Sequence, residues 1–311
     1  MSERRVGVID VGSNTIKLLI ATRDDQGELQ SVHFEVLETR IGEGVMKQPP
    51  RILPEDIERG AEAIKRLREI ADSFEVASLK TVATSAARDA RNREHFANRV
   101  SQLAKCDLNV LSGVEEARYI GDGLRTDPQL KALSSFTLLD MGGGSLECIQ
   151  FLEKQARLVH SLNLGAVRLA SRFVEDRRSP LTTEAEQAIG EHVRATFDEA
   201  KINAKSSPSP VAVLTGGTAA VLASEHPDYD LESGLSLDAL KAFHRKVASA
   251  YQSERASVHG VPESRADIFP TATSALCASM EFLGCERVRF SHRNLRFGIA
   301  NELLRELDST A

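Results

Sequence analysis

No apolar run in this sequence approaches the roughly 18 residues needed to cross a bilayer. The longest early candidate, Ile16 with Leu18 to Ala21, is far too short. Arg4 and Arg5 are followed by no apolar h-region and no small-residue cleavage site, so neither a signal peptide nor membrane attachment is expected. The four cysteines (Cys106, Cys148, Cys277, Cys285) have no C-x-x-C spacing. That argues against a zinc knuckle or a disulfide framework and for free, mostly buried thiols in a cytoplasmic protein. There is no excess of positive charge: 39 Lys and Arg stand against 45 Asp and Glu, a net charge of −6. A general nucleic-acid binder is disfavoured, although a local basic cleft remains compatible with an acidic chain. None of the eight histidines is followed by Asp, which removes a His-Asp metal module, and no tail is of low complexity.

What is present is a chain of 311 residues, long enough for two domains at about 100–200 residues each. The two begin alike. Residues 6–21 read VGVIDVGSNTIKLLIA and residues 137–151 read TLLDMGGGSLECIQF; Asp10 aligns with Asp140 and Gly12 with Gly142. Each segment is an apolar strand ending in Asp, a turn of Gly, Ser or Asn, and a second apolar strand, followed by a polar turn at Asp24–Gly27 or Glu153–Gln155. Antiparallel hairpins inside a mixed sheet are expected in both halves. The chain therefore reads as two related α/β domains facing each other, with Asp127-Pro128 at the crossover.

Helical spacing of Ile57, Ala61, Ile64, Leu67 and Ala71 predicts a helix over 55–72. Strands follow at 79–84 and 107–111, with helices from Arg88 to Leu103 and from Val114 to Leu124. In the second half we expect a helix over 182–203, a strand over 211–215 running into Gly216-Gly217-Thr218, helices near 236–252, 264–283 and 295–308, and a strand over 287–290.

A strand that ends in Asp and turns through glycine suits phosphate chemistry. Successive N–H groups of such a turn make an anion nest, and the carboxylate is a hard oxygen of the kind magnesium takes. One glycine turn is ordinary; two related turns plus Thr215-Gly216-Gly217-Thr218 are more specific.

Eight stretches in order carry a closer likeness: IDVGSNTIKLLI (9–20), RIGEGV (40–45), TVATSAARDARN (81–92), VLSGVEEARYI (110–120), LLDMGGGSLE (138–147), NLGAVRL (163–169), VLTGGT (213–218) and SRADIFP (264–270). On these the sequence resembles the exopolyphosphatase/guanosine pentaphosphate phosphatase (Ppx/GppA) family. The resemblance implies two actin-like, ribonuclease H-like α/β domains with mixed sheets, over 1–126 and 127–311. Whether the last helix, about 295–308, packs back on the first domain is left open. It also implies hydrolysis of terminal phosphate from inorganic polyphosphate, with Mg2+ or alternatively Mn2+, in a homodimer. Residue by residue, Glu116 matches the family's base, and Asp140 and Glu147 its magnesium carboxylates. Ser13, Asn14, Gly142, Gly143, Gly144 and Ser145 match its phosphate loops, and Arg88 an arginine of the phosphate path.

Plainer readings of the same residues stand beside these. Glu115 and Glu116 open a helix, where acids meet the dipole favourably. Glu147 fits a solvent-facing strand position as well as a cleft. Asp10 either caps its turn or touches metal through water, and Lys17 either reaches phosphate or sits on an exposed strand. Of Arg88, Arg91 and Arg93, Arg88 is expected to open its helix, where the N–H groups add to anion binding. Cys277 and Cys285 read as core packing. Three departures from the family pattern are visible: Leu146 in its G-G-G-S-T-E stretch, Pro270-Thr271-Ala272-Thr273 without a glycine, and Phe297 where the family tends to have Glu. Longer members continue into a helical C-terminal region. The competing functions are guanosine pentaphosphate hydrolysis, a kinase of the same superfold, and a phosphate-chain sensor without turnover.

Overall fold

The computed structural model describes residues 4–225 and 234–309. In chain order the first half holds β1 (Val6–Val11), β2 (Thr15–Arg23), β3 (Leu29–Glu38), α1 (Pro54–Ser73), β4 (Ser78–Ala83), α2 (Ser85–Asp89), α3 (Arg93–Ala104), β5 (Asn109–Val110) and α4 (Gly113–Leu124). The second half opens with β6 (Phe136–Met141), β7 (Leu146–Leu152), β8 (Gln155–Leu162), α5 (Ala166–Phe173), α6 (Thr183–Glu199), β9 (Val211–Thr215) and α7 (Gly216–Glu225). It continues through β10 (Leu235–Ser236), α8 (Leu237–Ala248), α9 (Gln252–His259), α10 (Glu263–Ala266), α11 (Phe269–Leu283), β11 (Arg287–Phe290) and α12 (Leu295–Ser309). Two units result. One runs to Leu130 and regains the chain from Arg293 onward; the other is Lys131–His292.

Each unit is built on one mixed sheet. The first has the order β3-β2-β1-β4-β5, with β1 antiparallel to β2 and parallel to β4. The second has β8-β7-β6-β9-β11-β10, with β6 antiparallel to β7 and parallel to β9. The central strands are buried along their whole length, as expected for strands covered on both faces. In the first unit Ile9, Val11, Ile16, Leu18 and Ile20 join one core with Ile57, Ala61, Ile64, Leu67 and Ala71 of α1. These are the helix residues whose spacing predicted that face.

The helix expected from Arg88 to Leu103 is two helices. α2 begins directly after β4, and Ala90 is extended (φ −72°, ψ 130°). The break is pinned from outside: Arg91 N–H donates to Pro50 O, and the Asn92 amide exchanges hydrogen bonds with the backbone N–H and C=O of Ile52. Arg88 therefore lies in the last turn of α2 and does not open a helix of its own. The strand expected over 107–111 shrinks to β5. The helix over 182–203 stops at Glu199, the helix expected at 236–252 stops at Ala248, and the helix expected at 264–283 is divided in two.

The departures from the family pattern have structural partners. Thr273 is fully buried, donates to Phe269 O or Pro270 O, and meets His244 Nδ1 at 2.8 Å. Phe297 is buried under the Arg293 guanidinium, 5.3 Å from its ring centre. Leu146 is fully buried in register with Met141. The cysteines are free thiols, three of them buried, and burial pushes Cys148 and Cys277 up to about 12. No helix among the described residues is long and apolar enough to cross a membrane.

Candidate functional site

The turns after β1 and β6 have the same construction. Gly12 N–H donates to Thr15 O at 3.1 Å, and Gly142 N–H to Ser145 O at 3.0 Å. Each turn is then strapped by a later segment. In the second unit Ala166 N–H donates to Gly142 O, Val167 and Arg168 N–H to Gly143 O, and Arg168 Nε to Gly144 O, at 2.8–3.2 Å. In a trans peptide the N–H points opposite the preceding carbonyl. The strap therefore turns the N–H groups of Gly143, Gly144 and Ser145 away from α5, as a row of donors for an anion. In the first unit Gly42 N–H takes Ser13 O, while Thr39 and Arg40 N–H take Asn14 O, so the Asn14 and Thr15 amides are turned in the same manner. Close approach explains the strap glycines. A Cβ on Gly42 would stand 2.7 Å from Ser13 Cβ, and one on Gly165 would overlap the backbone of Gly143 and Gly144.

Strand register places a row of side chains beside each turn. In the second unit Thr215, Asp140, Glu147 and Ser161 lie side by side on β9, β6, β7 and β8. Asp140 is 7% exposed and Glu147 2%, so the solvent-facing reading of Glu147 is excluded. Ser161 Oγ donates to Glu147 Oε1 at 2.8 Å. Two carboxylates directly opposite one another on neighbouring strands repel, and burial sharpens that cost. A divalent cation removes it. Magnesium takes one or two carboxylates and completes its shell with waters and substrate oxygens, so this donor set fits it. The described residues contain no group of three or more His, Cys, Asp or Glu arranged to hold a metal.

The row in the first unit is Val82, Asp10, Lys17 and Val36. Here Arg296 of α12 reaches Asp10, Nη1 to Oδ2 at 2.8 Å, with both side chains buried. Asp10 is thus salt-bridged by the protein itself.

Arg88 and Glu116, predicted separately, meet. Arg88 Nη1 donates to Glu116 Oε2 at 2.7 Å and to Leu111 O at 3.2 Å. The adjacent glutamates divide the two readings between them. Glu115 makes a capping box with Ser112, and the hydrogen bonds from Ser112 hold its carboxyl below the usual range. Glu116, one position on, is buried and turned to Arg88. Asn14 Nδ2 and Ser85 Oγ are buried with no hydrogen-bond partner, in segments that follow the adjacent strands β1 and β4; Thr84 N–H donates to Val11 O.

Some residues went unsingled in the sequence. The Arg265 guanidinium lies over Gly217, in the space a Cβ there would need, in the first turn of α7. Its short helix is anchored by Arg255, a fully buried side chain that donates to Val247, Arg177, Ser179 and Ala266 carbonyls. The stretch SRADIFP carried the signal for Arg265, but nothing in it distinguishes this arginine from a surface one.

The model of the Ppx/GppA phosphatase family matches residues 19–307. Among solved structures, the Ppx/GppA enzyme of Aquifex aeolicus is 26% identical with a TM-score of 0.76, the match covering 96% of this chain and 99% of that one. An exopolyphosphatase from Cytophaga hutchinsonii is 23% identical, with a TM-score of 0.86 and coverage of 97% and 98%. An exopolyphosphatase-like protein, also 23% identical, reaches 0.85 with 99% of both chains covered. The actin-like α/β fold implied by the sequence motifs is thereby borne out.

Proposed function

The chain belongs to the Ppx/GppA phosphatase family, and from that premise we propose that it is a magnesium-dependent exopolyphosphatase, releasing terminal phosphate from inorganic polyphosphate by attack of water. The observation that carries the reading is the second unit's turn, whose Gly142, Gly143 and Gly144 carbonyls are all taken by the strap beside two buried, opposed carboxylates, leaving the next three N–H groups turned the other way. A phosphoanhydride hydrolase needs donors for phosphate oxygens, neutralisation of the charge on the leaving phosphate, and a group to accept the water's proton.

Each need has a residue. The amides of Gly143, Gly144 and Ser145, and those of Asn14 and Thr15, are donors fixed in place by their straps, so they need no reorganisation during reaction. Asp140 and Glu147 are the residues that would hold the metal. Bound there, magnesium supplies electrostatic stabilisation of phosphate oxygens. Glu116 takes the proton. Its carboxylate is oriented by the charge-assisted bond from Arg88, and a guanidinium has five N–H donors, so Arg88 can hold Glu116 and bind phosphate together.

Phosphate release with magnesium, measured on long polyphosphate, short polyphosphate, guanosine pentaphosphate and ATP, tests the reading. Glu116→Gln is expected to reduce turnover by about 10²-fold or more with little change in substrate binding. Full activity in that variant removes Glu116 as the base. Preference for guanosine pentaphosphate changes the substrate and leaves the chemistry in place, since nests read phosphates and not bases. Polyphosphate binding without release from any substrate makes the chain a sensor.

A further inference from the structure

The row beside the second turn contains one side chain whose chemistry is not yet used. Thr215 is 1% exposed, and its Oγ1 is buried without a hydrogen-bond partner. An orphaned buried hydroxyl has lost its water without gaining a partner, and native proteins rarely leave one without a reason. A β-branched apolar residue would fill the position at no such cost, and the first unit has one: Val82 stands beside Asp10 where Thr215 stands beside Asp140. Register puts Thr215 on the same sheet face as Asp140, with Glu147 beyond it. The chain turns immediately afterwards, at Gly216 with φ +88°, and a Cβ on Gly216 would strike Asp140 Oδ1. The Asp140 carboxylate thus lies close against the segment that carries the hydroxyl.

We propose that Thr215 belongs to the cation site, its hydroxyl holding a water of the bound divalent ion on the β9 side of Asp140. The inference rests on the reading of Asp140 and Glu147 as the metal carboxylates. The chemistry fits: a hydroxyl carries one donor and two acceptor lone pairs, while magnesium keeps several of its waters and those waters need acceptors. Ser161 does the complementary work on the other flank, donating to Glu147. The two carboxylates are therefore bracketed by a hydroxyl on each side. Thr215 is a positioning residue; no step of the reaction passes through it.

The test is Mn2+ binding to the full-length protein without substrate, by titration calorimetry and by electron paramagnetic resonance of the bound ion. Thr215→Val keeps shape and strand preference and removes only the hydroxyl; Thr215→Ser keeps the hydroxyl. We expect Val to weaken Mn2+ binding about tenfold or more, the usual loss for an outer-shell partner, and Ser to restore it. In turnover assays the Val variant should need more magnesium for half-maximal rate, and the Ser variant should not. If Val binds Mn2+ as wild type does while Asp140→Asn has lost it, Thr215 has no part in the site and the carboxylate reading survives. If the wild type binds no divalent ion, or Asp140→Asn binds it unchanged, both fall.

Discussion

The two sheets solve one problem in opposite ways. Both bury an aspartate at the end of a central strand, next to a glycine turn, with an antiparallel neighbour directly opposite. In the first unit the neighbour is Lys17, and Arg296 closes on Asp10 from the last helix. In the second unit the neighbour is Glu147 and the flanking positions are hydroxyls. A buried carboxylate must be compensated. In the first unit an arginine of the last helix closes on the acid, and in the second the residue facing the acid across the strands is another acid. The backbone scaffold is duplicated; the charge arrangement is not. Fold likeness therefore says where a site can be, and the side chains along one row decide which copy is suited to the metal proposed above.

Exchanging the two charge patterns breaks this contrast most severely. Glu147→Lys gives the second row the Asp–Lys pair of the first, and Asp140→Asn removes one acid. Both should lower divalent affinity by more than about 100-fold, beyond what outer-shell losses give, as read by titration calorimetry. Asp10→Asn should leave that affinity unchanged. It should instead destabilise the first unit by about 3–5 kcal/mol, because Arg296 is left buried without its carboxylate; urea unfolding measures it. Equal effects of Asp10→Asn and Asp140→Asn on metal binding would erase the distinction between the rows.

The straps offer a milder comparison. Gly165→Ala forces a methyl into the backbone of Gly143 and Gly144 and should cost about 1–3 kcal/mol, with weaker binding of short polyphosphate. Gly42→Ala meets a side-chain carbon first, so its loss in thermal melts should be smaller.

The smallest effect is expected at Glu115. Its carboxyl is held low by the Ser112 cap, so its contribution to stability is present above the ordinary glutamate range. That contribution is lost as pH falls through the lowered folded value. Glu115→Gln should flatten the acid side of a urea-midpoint profile taken from about pH 6 to about pH 3. It should leave turnover intact, in contrast to Glu116→Gln one residue away.

Much of this was legible in the chain. The repeated strand-Asp-turn-strand segments are local, and the Asp140–Glu147 pairing follows from a hairpin whose register is set by its turn. The α1 face was visible in its spacing. The break at Ala90–Asn92 was not, because its cause is a set of hydrogen bonds to Pro50 and Ile52, some forty residues earlier in the chain. Arg88 was consequently expected at a helix opening. Its meeting with Glu116 depends on how α2 and α4 pack, which no spacing encodes. Arg296 and Asp10 are 286 positions apart; only the return of the chain joins them. Thr215 was visible as a threonine before two glycines, but its lack of a partner exists only in the folded state.

That return has a consequence for the order in which the molecule is made. Synthesis proceeds from the N-terminus and units fold as they emerge. The sheet of the first unit is complete by Val110, yet its last helix follows every element of the second unit. Until α12 arrives, Asp10 has no Arg296. Lys131–His292, by contrast, holds all its elements in one continuous stretch. The earlier-born unit is therefore the later to be finished, and a growing chain passes through a stage in which the second unit is whole and the first still waits for its closing helix.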